Sequence, residues 1–272
     1  MIHMAFLEVE DGKRVYYEHH AGPGRPVVLV HGWAADAHCW DTTLPALLAA
    51  GHSVTVLEHR ACGRSDKDIA DTSIGAIASD VVALVEHLGL REPVLNGWSL
   101  GGAVVVEAAR RLGANLGGLV LTGGATPRYT AAEGWPHGGT PDDVEGVLAG
   151  LAVDRPGTFR AVADAVCAKE VGEPVVQSIW LAFLACGPGA DRTLRDLAHI
   201  DQREILPAID RPVLLLSGRE DGFVPFDAVA ASRTLFRDAR LVEFGGVGHA
   251  PMLEDGETYR AELLGFLAGR EA

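Results

Sequence analysis

Gly97-Trp98-Ser99-Leu100-Gly101-Gly102 joins a short apolar run at residues 93–96 to a helical pattern at residues 100–112. Glycine two positions before and two positions after Ser99 permits a turn that is too sharp for larger side chains. Such a turn presents the serine oxygen at the carboxyl end of a strand, beside a helix N-terminus that stabilises negative charge. The context therefore predicts a strand, a nucleophilic serine at the turn and a helix, in that order.

Apolar runs and helical patterns alternate on both sides of this turn. Continuous apolar runs are typical of strands that are buried on both faces, and their alternation with helices predicts an α/β fold. We expect a mostly parallel central sheet with helices on both faces, preceded by a hairpin that turns at Asp11-Gly12. The predicted strands are residues 6–9, 14–18, 26–30, 54–57, 93–96, 119–121, 212–216 and 240–244, and the predicted helices are residues 40–50, 73–88, 100–112, 257–267 and one that begins at residue 227.

The alternation stops between residues 126 and 205, where helical patterns at residues 159–171 and 174–184 replace the strands and Gly187-Pro188-Gly189 is interpreted as a break. We interpret residues 126–205 as a helical cap inserted into a single core that is built from residues 1–125 and 206–272. The predicted cap carries seven Lys and Arg against twelve Asp and Glu. Because like charges oppose encounter, an acidic carrier protein would dock poorly, and a free small-molecule substrate is expected.

Composition excludes several classes of function. A formal net charge of −14 argues against nucleic acid and against anionic membrane surfaces as partners. The N-terminus lacks a signal-peptide pattern and no apolar run reaches the roughly 20 residues of a membrane helix, so a cytoplasmic protein is expected. The four cysteines have no zinc-site spacing, and no phosphate-binding loop is present. We therefore expect neither a metal nor a cofactor, and the oligomeric state stays open.

A base and an acid for Ser99 are expected after later strands of the same sheet. His249 follows the strand predicted at residues 240–244, so it is expected at the same carboxyl edge as the serine. Glu220 or Asp221 follows the strand at residues 212–216, and their position alone leaves the choice open. Residues 122–126 contain no carboxylate, which excludes the alternative place for the acid. The order serine, acid, histidine is the one known from G-x-S-x-G hydrolases.

Two backbone donors would stabilise an oxyanion formed at Ser99. One is the N–H of Leu100, the residue after the serine. The second is expected from the loop His31-Gly32-Trp33, which follows the strand at residues 26–30.

Taken together, these motifs resemble the α/β-hydrolase superfamily, and they occur in the family's order over essentially the whole chain. The resemblance implies that Asp221 is the acid, that the backbone of Trp33 supplies the second oxyanion donor and that His31 braces that loop. Residues 60–65 resemble a structural loop of the same family. Here Glu58 replaces the usual aspartate and Ala61-Cys62 replaces the usual glycine and its successor, but neither departure touches the expected chemistry.

The turn sequence is similar to that of small-molecule carboxylesterases, including pimeloyl-carrier methyl-ester esterases and cofactor-free haloperoxidase-type esterases. Haloalkane dehalogenases and epoxide hydrolases place aspartate where this chain has Ser99. Ring-cleavage C–C hydrolases usually have an aromatic residue after the histidine, where this chain has Ala250. The resemblance implies hydrolysis of a small carboxylic ester, thioester or lactone through an acyl-Ser99 intermediate. Alternatives are C–C bond hydrolysis, perhydrolysis with peroxide, and a slow-turnover ligand-binding receptor on the same scaffold.

An apolar stripe runs along the helix predicted at residues 174–184. Its ordinary interpretation is packing of the cap on the core, and the more specific one is that part of it lines an apolar substrate pocket. The substrate contacts predicted on this basis are Trp98, Ile179, Trp180 and Phe183.

Overall fold

Over residues 2–269, which the computed structural model describes, eight strands form one sheet. The strands are β1 (Ile2–Glu10), β2 (Lys13–His20), β3 (Pro26–Val30), β4 (Ser53–Leu57), β5 (Val94–Trp98), β6 (Gly118–Thr122), β7 (Val213–Gly218) and β8 (Ala239–Phe244). Their order in the sheet is β1-β2-β4-β3-β5-β6-β7-β8. β1 and β2 pair antiparallel as the expected hairpin, β2 pairs antiparallel with β4, and all later pairs are parallel. The predicted α/β fold with a mostly parallel sheet is confirmed.

Ten α-helices lie within the described residues. They are α1 (Leu44–Ala49), α2 (Ile74–His87), α3 (Leu100–Leu112), α4 (Pro141–Val153), α5 (Arg155–Val166), α6 (Glu173–Ala185), α7 (Gly189–His199), α8 (Phe226–Arg233), α9 (Pro251–Glu254) and α10 (Gly256–Leu267). Strands β4 to β7 are buried along their whole length, as expected for strands covered by helices on both faces.

Four helices, α4 to α7, occupy the chain between β6 and β7. α4 contacts α5 and α7, α5 contacts α6, and α7 reaches back to α2 and α3. Inside this stretch the described strand-like pairing is confined to two isolated bridges, Thr130 with Gly139 and Ala132 with Trp135. Our division of the chain into a core and a cap at residues 126–205 remains a prediction.

Several helix boundaries differ from the sequence predictions. The helix expected at residues 40–50 begins only at Leu44, because Pro45 fits the first turn of a helix and not its interior. The helix expected at residues 159–171 begins at Arg155, where the Asp154 side chain accepts a hydrogen bond from the Gly157 N–H. α7 begins at Gly189, although Gly187-Pro188-Gly189 was interpreted only as a break.

The sheet brings the predicted site residues to one edge. β3, β5, β7 and β8 run parallel, so the segments that follow them emerge at the same carboxyl edge. These segments carry Trp33, Ser99, Asp221 and His249 respectively.

Candidate active site

Ser99 lies in the turn between β5 and α3 with φ of 55° and ψ of −122°. Positive φ is unfavourable for a serine, so the surrounding packing must hold it in place. A Cβ on Gly97 would lie 2.2 Å from the carbonyl oxygen of Gly101, and one on Gly101 would lie 2.3 Å from that of Val30. The glycines on both sides of Ser99 are therefore required by close backbone contacts.

His249 and Asp221 form a buried pair next to this turn. The Nδ1 atom of His249 lies 2.8 Å from Oδ2 of Asp221, and 5% and 0% of their side chains are exposed. The other carboxylate oxygen accepts backbone N–H groups from Phe223 and Val224 at 2.8 and 2.9 Å. Because these donors fix the carboxylate, it orients the imidazole with Nδ1–H bonded, which leaves Nε2 as an acceptor.

Glu220 takes no part in this pair. Its side chain is exposed, and the carboxylate that contacts His249 belongs to Asp221. Of the two acids that the sequence offered, the structure brings only Asp221 to the histidine.

The loop after β3 lies against the serine. A Cβ on Gly32 would come within 3.1 Å of both the Cβ of Ser99 and the ring of Trp98. His31 holds this loop: its Nδ1 lies 2.8 Å from the carbonyl oxygen of Gly32, and its Nε2 accepts the backbone N–H of His59 at 2.9 Å. Burial lowers the pKa of His31, so the ring stays neutral and has one donor and one acceptor, as these two bonds require.

Leu100 is the first residue of α3. Backbone N–H groups in the first turn of a helix have no partner within the helix, so that of Leu100 is free to bind an anion beside Ser99. Trp33 lines the cavity at Ser99 and donates its indole Nε1–H to the carbonyl of Ala190 at 2.8 Å. That bond ties the loop to α7.

A cavity that opens to solvent has both Ser99 and His249 in its wall. Its remaining wall is largely apolar and includes Val162 of α5, Phe183 of α6 and Leu194 of α7. A larger chamber shares part of this wall. An apolar cavity with a few converging polar groups is the usual form of a small-molecule site.

Three of the four predicted substrate contacts line a cavity, and the fourth does not. Trp98 and Phe183 line the cavity at Ser99, and both also line a neighbouring cavity of about 350 Å³ together with Ile179. Trp180 lies outside the described walls of these three cavities, and its contact with a substrate stays a prediction. Its indole N–H bonds the carbonyl of Pro156 at 2.9 Å, and its ring packs near Arg160 of α5.

Sequence reasoning missed two cavity residues beside the histidine and the serine. Phe223 packs against His249 with 5.1 Å between the ring centroids and the rings tilted by 44°, and its place two residues after Asp221 was an available signal. Tyr129 lines both the cavity and the chamber. It lies in an irregular segment after β6, where no periodic pattern marked it.

The described residues contain no group of three or more His, Cys, Asp or Glu side chains that could hold a metal ion. No helix in the same part of the chain is long and apolar enough to cross a bilayer. The four cysteines are free thiols, and burial raises the pKa of Cys62 well above its ordinary value. Cys62 is thus kept as an unreactive thiol.

Comparison with known proteins places this geometry in a family. Residues 25–256 match the family model described as alpha/beta hydrolase fold. The chain is 28% identical over 273 residues to a non-heme haloperoxidase of Rhodococcus erythropolis, covering 97% of this chain and 99% of that protein. It is 30% identical over 249 residues to a pimeloyl-[acyl-carrier protein] methyl ester esterase of Aromatoleum aromaticum, covering 85% and 93%. Among solved structures, an esterase from Exiguobacterium antarcticum has a TM-score of 0.93 and 28% identity, covering 97% and 98%.

Proposed function

This chain belongs to the alpha/beta hydrolase family, and we propose that it cleaves small carboxylic esters through an acyl intermediate on Ser99. The observation that carries the proposal is the buried 2.8 Å contact between Nδ1 of His249 and Asp221, in a cavity whose wall also contains Ser99. A serine becomes a nucleophile when an adjacent base takes its proton, and that base needs a group that orients it. The three side chains supply these parts.

The reaction proceeds in two halves. Ser99 Oγ attacks the ester carbonyl carbon while Nε2 of His249 takes the hydroxyl proton, and the alcohol leaves with that proton. Water then attacks the acyl-Ser99 ester with His249 again as base, which releases the carboxylic acid and restores Ser99. The backbone N–H groups of Leu100 and Trp33 stabilise the oxyanion in both halves, and loss of one such donor typically costs about 10²–10³ in rate.

The helices between β6 and β7 act in this proposal as a cap. α5, α6 and α7 contribute Val162, Phe183 and Leu194 to the cavity at Ser99, while the proposed core of residues 1–125 and 206–272 supplies the reacting groups. Their apolar side chains exclude water from the acyl group and favour an uncharged substrate. A free ester fits better than one on an acidic carrier, because residues 126–205 carry an excess of acidic side chains.

A second candidate reaction is favoured by the relative that is named a non-heme haloperoxidase. Hydrogen peroxide in place of water would attack acyl-Ser99 and release a peracid, which oxidises halide without any cofactor. Ser99-dependent bromination of an indicator in the presence of acetate, peroxide and bromide tests this reaction. Its absence would leave simple hydrolysis as the reaction.

The experiment that tests the proposal is steady-state hydrolysis of p-nitrophenyl esters of increasing acyl length. Ser99→Ala serves as the blank, and Ser79→Ala is the matched control, because Ser79 is an exposed serine on α2. We expect turnover with a defined optimum of chain length in the wild type and in Ser79→Ala, and none in Ser99→Ala. Equal turnover in Ser99→Ala would overturn the proposal.

A further inference from the structure

The cavity at Ser99 and the larger chamber share part of their walls. Both are walled by the same five residues, which are Trp33, Tyr129, Val162, Leu194 and Phe223. Because these side chains border both spaces, a substrate with its scissile carbonyl at Ser99 and a long acyl or alcohol part would reach the chamber past them. The polar groups at this junction therefore decide what the remote part of the substrate can be.

Most side-chain donors on these walls already have partners within the protein. The four pairs are Trp33 Nε1 with the carbonyl of Ala190 at 2.8 Å, Trp98 Nε1 with that of His249 at 2.9 Å, Thr130 Oγ1 with that of Ala198 at 2.6 Å, and Thr140 Oγ1 with Asp143 Oδ2 at 2.8 Å. A donor that is engaged in this way gains little from a substrate acceptor, since it would exchange one hydrogen bond for another.

Tyr129 differs from these groups. Its hydroxyl has no hydrogen-bond partner among residues 2–269, and Tyr129 belongs to the wall that the two spaces share. Burial, with a smaller effect of Asp221 and Asp143, raises the pKa of Tyr129 to about 12. The hydroxyl is therefore neutral and can donate throughout the working range of pH.

The backbone around Tyr129 is held on both sides. The N–H of Gln202 donates to the carbonyl of Pro127 at 2.9 Å, and the Thr130 hydroxyl bonds the end of α7 at Ala198. A donor on a fixed segment is preorganised, because little conformational entropy is lost when a ligand binds to it.

The charges on the walls of the cavity and the chamber limit which substrate group can accept a hydrogen bond from Tyr129. The described walls of the cavity and the chamber contain no Lys or Arg, and Asp143 contributes a carboxylate to the chamber. An anionic group on the substrate would lose its hydration without gaining a cation. A neutral oxygen meets no such penalty.

We propose that Tyr129 is a specificity residue that donates its hydroxyl to a neutral oxygen acceptor, such as a ketone or ether, on the part of the substrate remote from the scissile carbonyl. This inference rests on the proposed ester hydrolysis and narrows its substrates to uncharged, oxygenated esters. Apolar esters of the same shape are cleaved with lower kcat/KM, because they displace water from the half-buried Tyr129 hydroxyl without offering it an acceptor.

The test compares ethyl octanoate with its oxo derivatives, in which a ketone is moved one carbon at a time along the acyl chain. A second series, octyl acetate and its oxo derivatives, places the ketone in the alcohol part. Hydrolysis is followed by acid release in the wild type, in Tyr129→Phe and in Tyr16→Phe. The last variant is the matched control, since Tyr16 lies on β2 and bonds Glu18 through its hydroxyl.

At one ketone position, the ratio of kcat/KM for the oxo ester to that for its parent should fall about five- to tenfold in Tyr129→Phe, the range of one neutral hydrogen bond. The same ratio should be unchanged in Tyr16→Phe. Equal ratios in the wild type and in Tyr129→Phe at every position of both series would overturn the inference, while Ser99-dependent hydrolysis of the parent esters would leave the proposed function intact.

Binding of the esters to Ser99→Ala distinguishes the proposed recognition by Tyr129 from the proposed hydrolysis at Ser99. Calorimetry with the same esters should give a Kd that rises by a similar factor when Tyr129→Phe is added to Ser99→Ala. A Tyr129-dependent Kd without any Ser99-dependent hydrolysis would support the recognition and refute the reaction. A Kd that does not depend on Tyr129 would refute the recognition.

Discussion

Gly32 and Ser99 are in contact across the carboxyl edge of the sheet: a Cβ on Gly32 would lie 3.1 Å from the Cβ of the serine. Ala at this position must push apart the loop that carries one proposed oxyanion donor and the turn that carries the proposed nucleophile. The contact therefore couples the position of the loop to that of the turn.

Gly32→Ala is expected to lower kcat/KM by about three- to tenfold, because a Cβ at 3.1 Å displaces its neighbours by less than the 1 Å that costs about 100-fold in a reacting site. The matched control is Gly146→Ala on α4, where an added Cβ would meet nothing within 4 Å. Kinetics and thermal unfolding should be measured together. Wild-type kinetics in Gly32→Ala would show that the loop does not contribute to catalysis.

Asp221→Asn should reduce kcat by roughly 10⁴, because an amide no longer selects the imidazole tautomer with hydrogen on Nδ1. Glu220→Gln is the neighbouring control and should remain near wild type, since Glu220 is exposed. Steady-state hydrolysis of a p-nitrophenyl ester measures both variants. The reverse outcome, an inactive Glu220→Gln and an active Asp221→Asn, would assign the acid to Glu220.

Asp80→Asn should destabilise the fold by about 1–3 kcal/mol, less than the 3–5 kcal/mol of a buried charge left alone, because Arg60 keeps Glu10 as a second carboxylate partner. Arg60 donates to both oxygens of Asp80 at 2.6 and 2.7 Å, and both side chains are buried. Urea unfolding measures the free energy of unfolding of each variant. Asp164→Asn, which removes a surface partner of Arg160, should leave that energy nearly unchanged, and equal effects of the two variants would contradict this account.

Tyr259 should make stability depend on pH in the alkaline range. Its hydroxyl is buried and bonds Asn96 at 2.9 Å and Thr122 at 3.1 Å, and burial raises the pKa of Tyr259 from 10.0 to about 12. Above pH 10 the unfolded chain releases this proton while the folded chain keeps it, so the stabilisation present below pH 10 is lost as pH rises towards 12.

Urea unfolding of the wild type and of Tyr259→Phe at pH 8, 10 and 11 checks this prediction. At pH 8 the variant should be less stable by about 1–3 kcal/mol, because two hydrogen bonds are lost. That difference should shrink above pH 10 by roughly 1.4 kcal/mol per pH unit. A difference that stays constant with pH would show that Tyr259 does not keep its proton.

Much of the fold could be predicted because its signals are local. Residues 100–112 repeat with helical period and form α3 between the same limits, and the apolar run at residues 26–30 is β3. The start of α5 was missed because it depends on a helix cap and not on periodicity. In this cap the Asp154 side chain accepts a hydrogen bond from the Gly157 N–H. The start of α7 was missed because Pro188 and its glycines suit a helix N-terminus as well as a break.

The reacting groups were easier to predict than the cavity around them. Ser99, Asp221 and His249 each follow a predicted strand, so the topology of the sheet alone places them at one edge. Trp180 and Phe183 lie on the same predicted helix, yet only Phe183 reaches a cavity. Which face of α6 points to the core depends on its packing against α5, and a helical period does not contain that information.

The departure at Glu58 also has a structural explanation. Its buried carboxylate pairs with the guanidinium of Arg64, with 2.6 Å between Oε1 and Nη2, and it approaches Gly63 so closely that a Cβ there would overlap it. Gly63 has a φ of 47°, which favours glycine at that position for a second reason. Glu58, which is longer than the usual aspartate, thus holds the loop at residues 60–65 in place.

The central claim, an acyl intermediate on Ser99, is tested most directly by mass spectrometry of the enzyme quenched in acid during turnover of p-nitrophenyl acetate. The account predicts one added acetyl group, located by peptide mapping on Ser99 and absent from Ser99→Ala. Turnover without an adduct on Ser99, or with the acetyl group on another residue, would contradict it.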